Sequence, residues 1–177
     1  LKKHHWVKDI KKEIDLPIQL QNDVKMIHQG CYFTYQQDST YYLYINEVGI
    51  GSSYFYKDEP LYGRSGIMGE IGLISLKGKT INQQIRECQN QEEFNEILSL
   101  LLSMVFTMID PKRLELSLDL KWRYEENIIE KVLNEINQSC FENLYFHEDV
   151  SSMLFDGLVY RGVVYLLKER IERNEKI

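Results

Sequence analysis

The sequence is short of positive charge. Its 177 residues carry 21 Lys and Arg against 27 Asp and Glu, for a formal net charge of −6 and a pI near 5.3. Non-specific nucleic-acid binding draws on basic patches, so the chain by itself is not expected to hold DNA or RNA. Cysteine is also scarce. Cys31, Cys88 and Cys140 are odd in number, widely spaced and without a Cys-x-x-Cys pair. That excludes a two-cysteine zinc half-site and reads as free, reduced thiols in a cytoplasmic protein. No uninterrupted apolar run reaches the roughly 18 residues of a bilayer-spanning helix, so no membrane span is expected. The opening Leu1-Lys2-Lys3-His4-His5-Trp6 leads into no apolar segment, so no signal peptide is expected; with no Met at its head, it suggests a piece of a longer protein. What is present is apolar mass: hydrophobic residues make up 44%, enough for a packed core. The length suits one domain or part of a two-lobed one. There is no repeat and no low-complexity segment.

Apolar spacing predicts a helix over residues 2–14 with Trp6, Val7, Ile10 and Ile14 on one face. A short strand is expected at Pro17–Leu20, with Pro at its start. A helix from Asp23 to about Tyr32 follows, with Asn22 as N-cap and Val24, Ile27 and Cys31 inward. Tyr41–Asn46 and Ser52–Lys57 are rich in aromatic and β-branched residues and read as a hairpin around Gly49-Ile50-Gly51. A turn at Lys57–Pro60 leads to a third strand at Leu61–Tyr62. Residues 64–90 read as loop, with some helix near Gln83–Gln89. Phe94–Ile109 is the most apolar helix, with Ile97, Leu98, Leu101, Leu102, Val105, Met108 and Ile109 on its buried face. A strand at Leu114–Leu118, a helix at Glu125–Asn137, a strand at Asn143–Phe146 and a helix over Ser151–Arg173 complete the chain. This order implies an α/β fold with a mixed sheet of about five strands and right-handed crossovers. The aromatic residues Tyr41, Tyr42, Tyr44, Tyr54, Phe55 and Tyr56 have no basic interleaving, which fits strand packing or a dimer surface rather than base stacking.

The densest signal is Leu43–Gly72. It holds the hairpin with Gly49 and Gly51 and, about twenty residues on, an acid set between glycines, Gly69-Glu70-Ile71-Gly72. Residues without a Cβ allow close ligand approach, so the two turns read as parts of one cleft. Three segments carry a resemblance to the ROK family (repressors, open reading frames and sugar kinases). Pro17-Ile18-Gln19-Leu20-Gln21-Asn22-Asp23-Val24-Lys25 stands against a family segment that reads roughly PV.VENDAN. Glu47-Val48-Gly49-Ile50-Gly51 stands against GTGIG, and Gly63–Leu73 against G....AGEIGH. The similarity runs loosely from Trp6 to about Leu167.

The resemblance implies one lobe of the actin-like ATPase fold, built on a ribonuclease-H-like core. Residues 1–38 would cross from a first lobe, and residues 39–177 would form the C-terminal lobe. It implies that Asn22, Asp23, Gly66 and Glu70 meet a sugar or sugar phosphate. Asp23, in the first turn of a helix, stays ionised beside the helix dipole and sits where the family's kinases place the general base. Glu70 offers two acceptor oxygens to adjacent hydroxyls. Independently of any family, Asn22-Asp23 also reads as plain helix capping, and Glu70 as a solvated acid in a turn.

Departures from the family pattern set the remaining expectations. Glu47 and Val48 replace small residues of the phosphate turn, leaving Glu47, Gly49 and Gly51 as a degenerate one. Leu118-Asp119-Leu120 and Arg161-Gly162-Val163 stand where a Gly-Gly pair and a Gly-Ala pair are usual. ATP and Mg²⁺ are therefore not expected. Leu73 replaces a His, and the zinc cysteine cluster is missing. Cys88 alone follows, so no zinc and no other metal is expected. His28, on the Asp23 helix, reads as structural. The leading reading is a non-catalytic sugar-sensing domain of a transcriptional regulator, a homodimer whose DNA-binding module lies outside this chain. The alternatives are a sugar kinase with Asp23 as base, and a dimerisation scaffold without ligand.

Overall fold

The computed structural model describes residues 6–14, 18, 21–35, 38–57, 59–125, 127–136 and 143–174. In chain order the elements are α1 (Trp6–Glu13), α2 (Asp23–Tyr35), β1 (Ser39–Asn46), β2 (Ile50–Tyr56), β3 (Glu59–Pro60), a 3-10 turn (Ile71–Leu73), β4 (Ser75–Leu76), β5 (Lys79–Thr80), α3 (Ile81–Glu87), α4 (Gln91–Met108), β6 (Arg113–Asp119), α5 (Asn127–Glu135), β7 (Leu144–Phe146) and α6 (Val150–Asn174). Five strands form one sheet in the order β3-β2-β1-β6-β7. The β1–β2 and β2–β3 pairs are antiparallel, while β1–β6 and β6–β7 are parallel. This is the mixed five-strand sheet with flanking helices that the sequence implies.

Alternation along β1 sends Tyr41, Leu43 and Ile45 to one face and Tyr42 and Tyr44 to the other. The first set joins Leu114 and Leu116 of β6 under α3, α4 and α5, where Phe94, Leu98, Leu101, Leu102, Ile128 and Val132 fill the larger core. The second set meets Val24, Ile27 and Cys31 of α2 and Met153 and Leu154 of α6. Period two in β6 is real, but its polar side is buried as well. Arg113, Glu115 and Ser117 lie on the α2 face, each at most 2% exposed. Arg113 Nε donates to Glu115, the second oxygen of Glu115 bonds His147 Nε2, and the guanidinium covers the Tyr145 ring at 3.4 Å. Burying charges costs least when they are paired, as Arg113 and Glu115 are.

Several expectations are corrected. Ile10 of α1 and Ile14 just beyond it are exposed; the side chains of Trp6 and Val7 lie outside the described residues, and of the expected strand at Pro17–Leu20 only Ile18 is described, outside any strand. The third strand falls at Glu59–Pro60, where Pro60 pairs with Phe55, and the Leu61 N–H still reaches Tyr54 O at 2.9 Å. The helix expected near Gln83–Gln89 is α3, which begins earlier, at Ile81, because Thr80 and Gln83 form a capping box there. Met108 is 73% exposed at the end of α4 rather than inward. α6 is also more apolar than a search for uninterrupted runs reveals. Val150–Lys168 is long and apolar enough to cross a membrane by length and composition, although Asp156 and Arg161 interrupt it and one edge packs on α2.

Candidate functional site

The site is built where three segments meet at one end of the sheet: the first turn of α2, the β1–β2 hairpin, and the turn at Gly69–Gly72. Asn22 caps α2, its Oδ1 accepting from the Lys25 N–H at 3.0 Å and its carbonyl from the Met26 N–H at 3.1 Å. Asp23 follows, with Oδ1 taking the Val24 N–H at 2.8 Å and the carboxylate left exposed.

Glu70 is brought over by Gly69. At φ +98 this glycine holds a backbone that L side chains rarely adopt, and a Cβ there would lie 2.1 Å from Ser52 O. Its carbonyl accepts from both the Ser52 N–H, at 3.0 Å, and the Ser52 hydroxyl, at 2.9 Å. The turn is thus fastened to β2, and Glu70 is left exposed at the cleft.

The cleft between these segments holds about 220 Å³ and is lined by Asn22, Asp23, Lys25, Tyr44, Ser52 and Glu70, with Gly49 and Gly51 in its wall. Drug-sized ligands usually occupy about 300–1,000 Å³, so this cleft has the size for one small polar molecule. Gly66, also expected here, is exposed at φ +74, where an added Cβ would meet nothing within 4 Å, and does not line the cleft.

The hairpin tip is pinned from within. Asn46 Oδ1 accepts from the N–H groups of Val48, at 2.9 Å, and Gly49, at 3.0 Å. Asn82 Oδ1, at the start of α3, accepts from the Ile50 N–H at 2.7 Å. Its amide lies where a Cβ on either Gly49 or Gly72 would fall, which ties the two glycine turns together. Arg86 Nη1 donates to Val48 O at 2.8 Å. Phosphate-cradling turns work through free, convergent N–H groups; here three successive ones already have acceptors. Across the tip lies a second hollow, lined by Asn46, Glu47, Val48, Asp119, Leu120 and Lys121, which sets two carboxylates against one ammonium. Glu47 faces this hollow and not the Asp23–Glu70 cleft. Tyr44 runs between the two, donating to Asp119 Oδ2 at 3.2 Å; burial raises its phenol pKa first of all.

Sequence reasoning missed Lys25, Asn46 and Asn82. Lys25 is 3% exposed, lines the cleft and lies over the Tyr62 ring at 4.2 Å. Burial lowers its pKa, against which Glu70 acts in the opposite direction. The Asn-x-x-Gly spacing of Asn46 and Gly49 was a usable signal for an Asx turn; nothing in the sequence signals the contact of Asn82. His28 stands apart from the cleft. It is fully buried, its Nδ1 at 2.7 Å from Ser53 Oγ and its Nε2 at 2.9 Å from Thr40 Oγ1. Burial, more than its neighbours, takes its pKa down to about 3. Leu73, in the family's His position, is exposed. Among the described residues, Cys31 of α2, Glu115 of β6 and His147 just after β7 bring three metal-ligating atoms within 4.8 Å of one another. Arg113 already balances Glu115 there, and burial holds the Cys31 thiol well above its usual range, so it stays protonated.

No curated protein sequence matches the chain. Solved structures do. A ROK family protein from Streptococcus pneumoniae TIGR4 in complex with sucrose aligns with a TM-score of 0.64 at 17% identity, over 93% of this chain and 71% of that one. The ROK hexokinase of Thermus thermophilus gives 0.57 at 14% identity, over 88% and 70%. The inorganic polyphosphate/ATP-glucomannokinase of Arthrobacter sp. strain KM gives 0.59 at 12% identity, over 87% and 60%. At such identities the likeness shows a shared fold, the actin-like ATPase fold. The sequence itself matches the description of the ROK family over residues 2–100, more than half of its length, and the chain belongs to the ROK family.

Proposed function

We propose that this lobe is a carbohydrate-binding sensor that does not transfer phosphate. Asn22, Asp23 and Glu70 would bind sugar hydroxyls, with the carboxylates as acceptors and the amide as a mixed donor and acceptor. The observation that carries the reading is the meeting of Asp23 and Glu70, from distant segments, on one small polar cleft. One neighbour is in complex with sucrose and two are a hexokinase and a glucomannokinase, which supports the ligand class. The lack of phosphate transfer rests on the hairpin tip, whose N–H groups are taken by Asn46 and Asn82, and on Glu47 and Asp119 in the hollow beyond it. A negative pair there repels a triphosphate. In a regulator of this kind, a sugar acts by unequal affinity for two arrangements of the protein, and the DNA-reading module would be a separate segment acting in the cytoplasm.

A sugar kinase is the second reading, and one observation favours it: Asp23 lies on the same cleft as the glycine hairpin, where a base would meet an attacking hydroxyl. A thermal-shift and calorimetric series of aldohexoses and 2-acetamido hexoses, each with and without ATP-Mg²⁺, separates the two. At least one sugar is expected to raise the melting temperature. Asp23→Ala and Glu70→Ala are each expected to weaken it by about tenfold or more, and the nucleotide to do nothing. Formation of ADP and sugar phosphate overturns the sensor reading in favour of the kinase.

A further inference from the structure

A polar cluster on the α2 side of the sheet takes no part in the cleft. Cys31 Sγ, a carboxylate oxygen of Glu115 and a ring nitrogen of His147 all lie within 4.8 Å of one another. They come from α2, β6 and the residue after β7, so no spacing in the sequence signals them. Cys31 is 3% exposed and Glu115 1%, while the His147 side chain keeps 17% of its surface in water. Backbone holds each in place. Cys31 lies within the α2 helix, Glu115 within the β1–β6 and β6–β7 ladders, and the His147 N–H donates to Leu116 O at 3.0 Å. We propose that Cys31, Glu115 and His147 form a binding site for one zinc ion, or a first-row divalent ion of like chemistry, with water in the fourth position.

Thiolate sulfur, imidazole nitrogen and carboxylate oxygen are the ligand types that zinc takes, and three protein ligands with one open position recur in its sites. Arg113 fits as the outer partner of such a set. Its Nε donates to one oxygen of Glu115, which leaves the other oxygen, bonded to His147 Nε2, to turn to the ion. The ion thus replaces the Glu115–His147 hydrogen bond and leaves the Arg113–Glu115 pair in being. With no ion bound, burial keeps the Cys31 thiol protonated, and a thiol is a weak hydrogen-bond partner for its two neighbours. Coordination removes that proton outright and passes it to solvent. The bound set is therefore one charge more positive than the free one. The guanidinium that carries the excess covers the Tyr145 ring at 3.4 Å. The exposed edge of His147 gives the ion its entry and the water its place. Leu73 and Cys88, which mark where the family's zinc ligands would fall, take no part. The ion would fasten α2, about two turns beyond Asp23, to β6 and to the end of β7.

Titration of the whole chain, first stripped of metal by a chelator, with Co²⁺ and then Zn²⁺ tests this. One Co²⁺ per chain is expected, with the intense near-ultraviolet band of a cobalt–thiolate bond, and one equivalent of Zn²⁺ should abolish that band. At a hundredfold excess of free Zn²⁺ over its Kd, the melting temperature should rise by about 5–10 °C. Cys31→Ala and His147→Gln should each lose the band and weaken Zn²⁺ binding by at least about a hundredfold, while Cys88→Ala should change neither. Both ligand variants keep the Arg113–Glu115 pair. Should either fail to fold, the wild-type Co²⁺ spectrum and the melting shift still decide. Metal bound without a thiolate band, as by His4 and His5, overturns the inference and leaves the cluster a hydrogen-bonded network only. A band that persists in Cys31→Ala overturns it too, as does a melting temperature that Zn²⁺ leaves unchanged. None of these outcomes touches the sugar-binding reading, which is tested without metal.

Discussion

Single side chains decide what each part of this surface can bind. Asn46 and Asn82 each use one amide oxygen to occupy the backbone donors of a glycine hairpin, so a turn that resembles a phosphate cradle in sequence is internally satisfied in space. His28 shows the same economy inside the protein. Both ring nitrogens are engaged by hydroxyls of β1 and β2, and burial above all, against an opposing hydrogen bond at Ser53 and with smaller help from His147 and Arg113, keeps the folded ring neutral with a pKa of about 3 against 6.5 when free. Below pH 6.5 the unfolded chain takes a proton that the folded one refuses, so stability contributed by neutral His28 is present above about 6.5 and is lost as pH falls towards 3. One pH unit inside that window costs about 1.4 kcal/mol. Urea unfolding at pH 6.5 and pH 5 should therefore show the wild type losing about 2 kcal/mol more than His28→Gln, with Glu115, Cys31 and His147 common to both. Equal losses would show that the ring titrates freely in the folded state.

At the scale of elements, the helices divide by how their apolar faces are used. α4 and α5 bury theirs on the sheet, and spacing alone placed Leu98, Leu101, Leu102, Ile128 and Val132 inward correctly. The same spacing failed for Ile10 of α1 and Ile14 just after it, because periodicity reports that a face is apolar and not whether a partner is present. α6 is the intermediate case. One edge packs on α2 through Gly157, where a Cβ would fall 1.8 Å from Met26 O, and through Met153, whose carbonyl would meet a Cβ on Gly30 at 2.0 Å. The rest of the helix shows Phe155, Leu158, Val159, Val163, Leu166, Leu167 and Ile171 to solvent. Helix α3 was only partly legible: the loop around it masks its period, and its Thr80–Gln83 cap is the better signal. Two substitutions on one helix separate packing from propensity. Gly162→Ala, with nothing within 4 Å, should stabilise by about 0.5–1 kcal/mol. Gly157→Ala should destabilise by about 1–3 kcal/mol despite the same gain in propensity. Denaturant midpoints of the two variants give the comparison, and a stabilising Gly157→Ala would mean that the α2–α6 contact is loose.

For the whole molecule, the mixed sheet of about five strands could be read from the sequence because each strand carries its own alternation and the connections leave few topologies, while the order of the strands within it comes from the structure. The cleft was legible in part for a similar reason: Asn22, Asp23 and Glu70 belong to local motifs that survive without neighbours. Lys25 and Asn82 belong to none, since a buried lysine and a wedged amide acquire meaning only when distant segments close around them. The closure that matters most joins the two ends of the described chain. α2 precedes the sheet and α6 follows it, and together they cover the face holding Val24, Ile27, Cys31, Tyr42 and the Arg113–Glu115 pair. Contacts so far apart in sequence form only when the rest has folded, which makes the α2 face dependent on the last helix. A chain ending at Asp149 should therefore lose its cooperative melt and bind a hydrophobic dye, because the Val24–Ile27–Cys31 surface and a buried ion pair would be laid open to water. A chain ending at Leu167 removes a segment whose described residues are exposed, and should melt within about 2 °C of the full length, since surface changes typically stay within about 0.5 kcal/mol. Cooperative unfolding of the shorter chain would show that α2 holds to the sheet without α6, and would move the cleft's support from the end of the chain to the sheet itself.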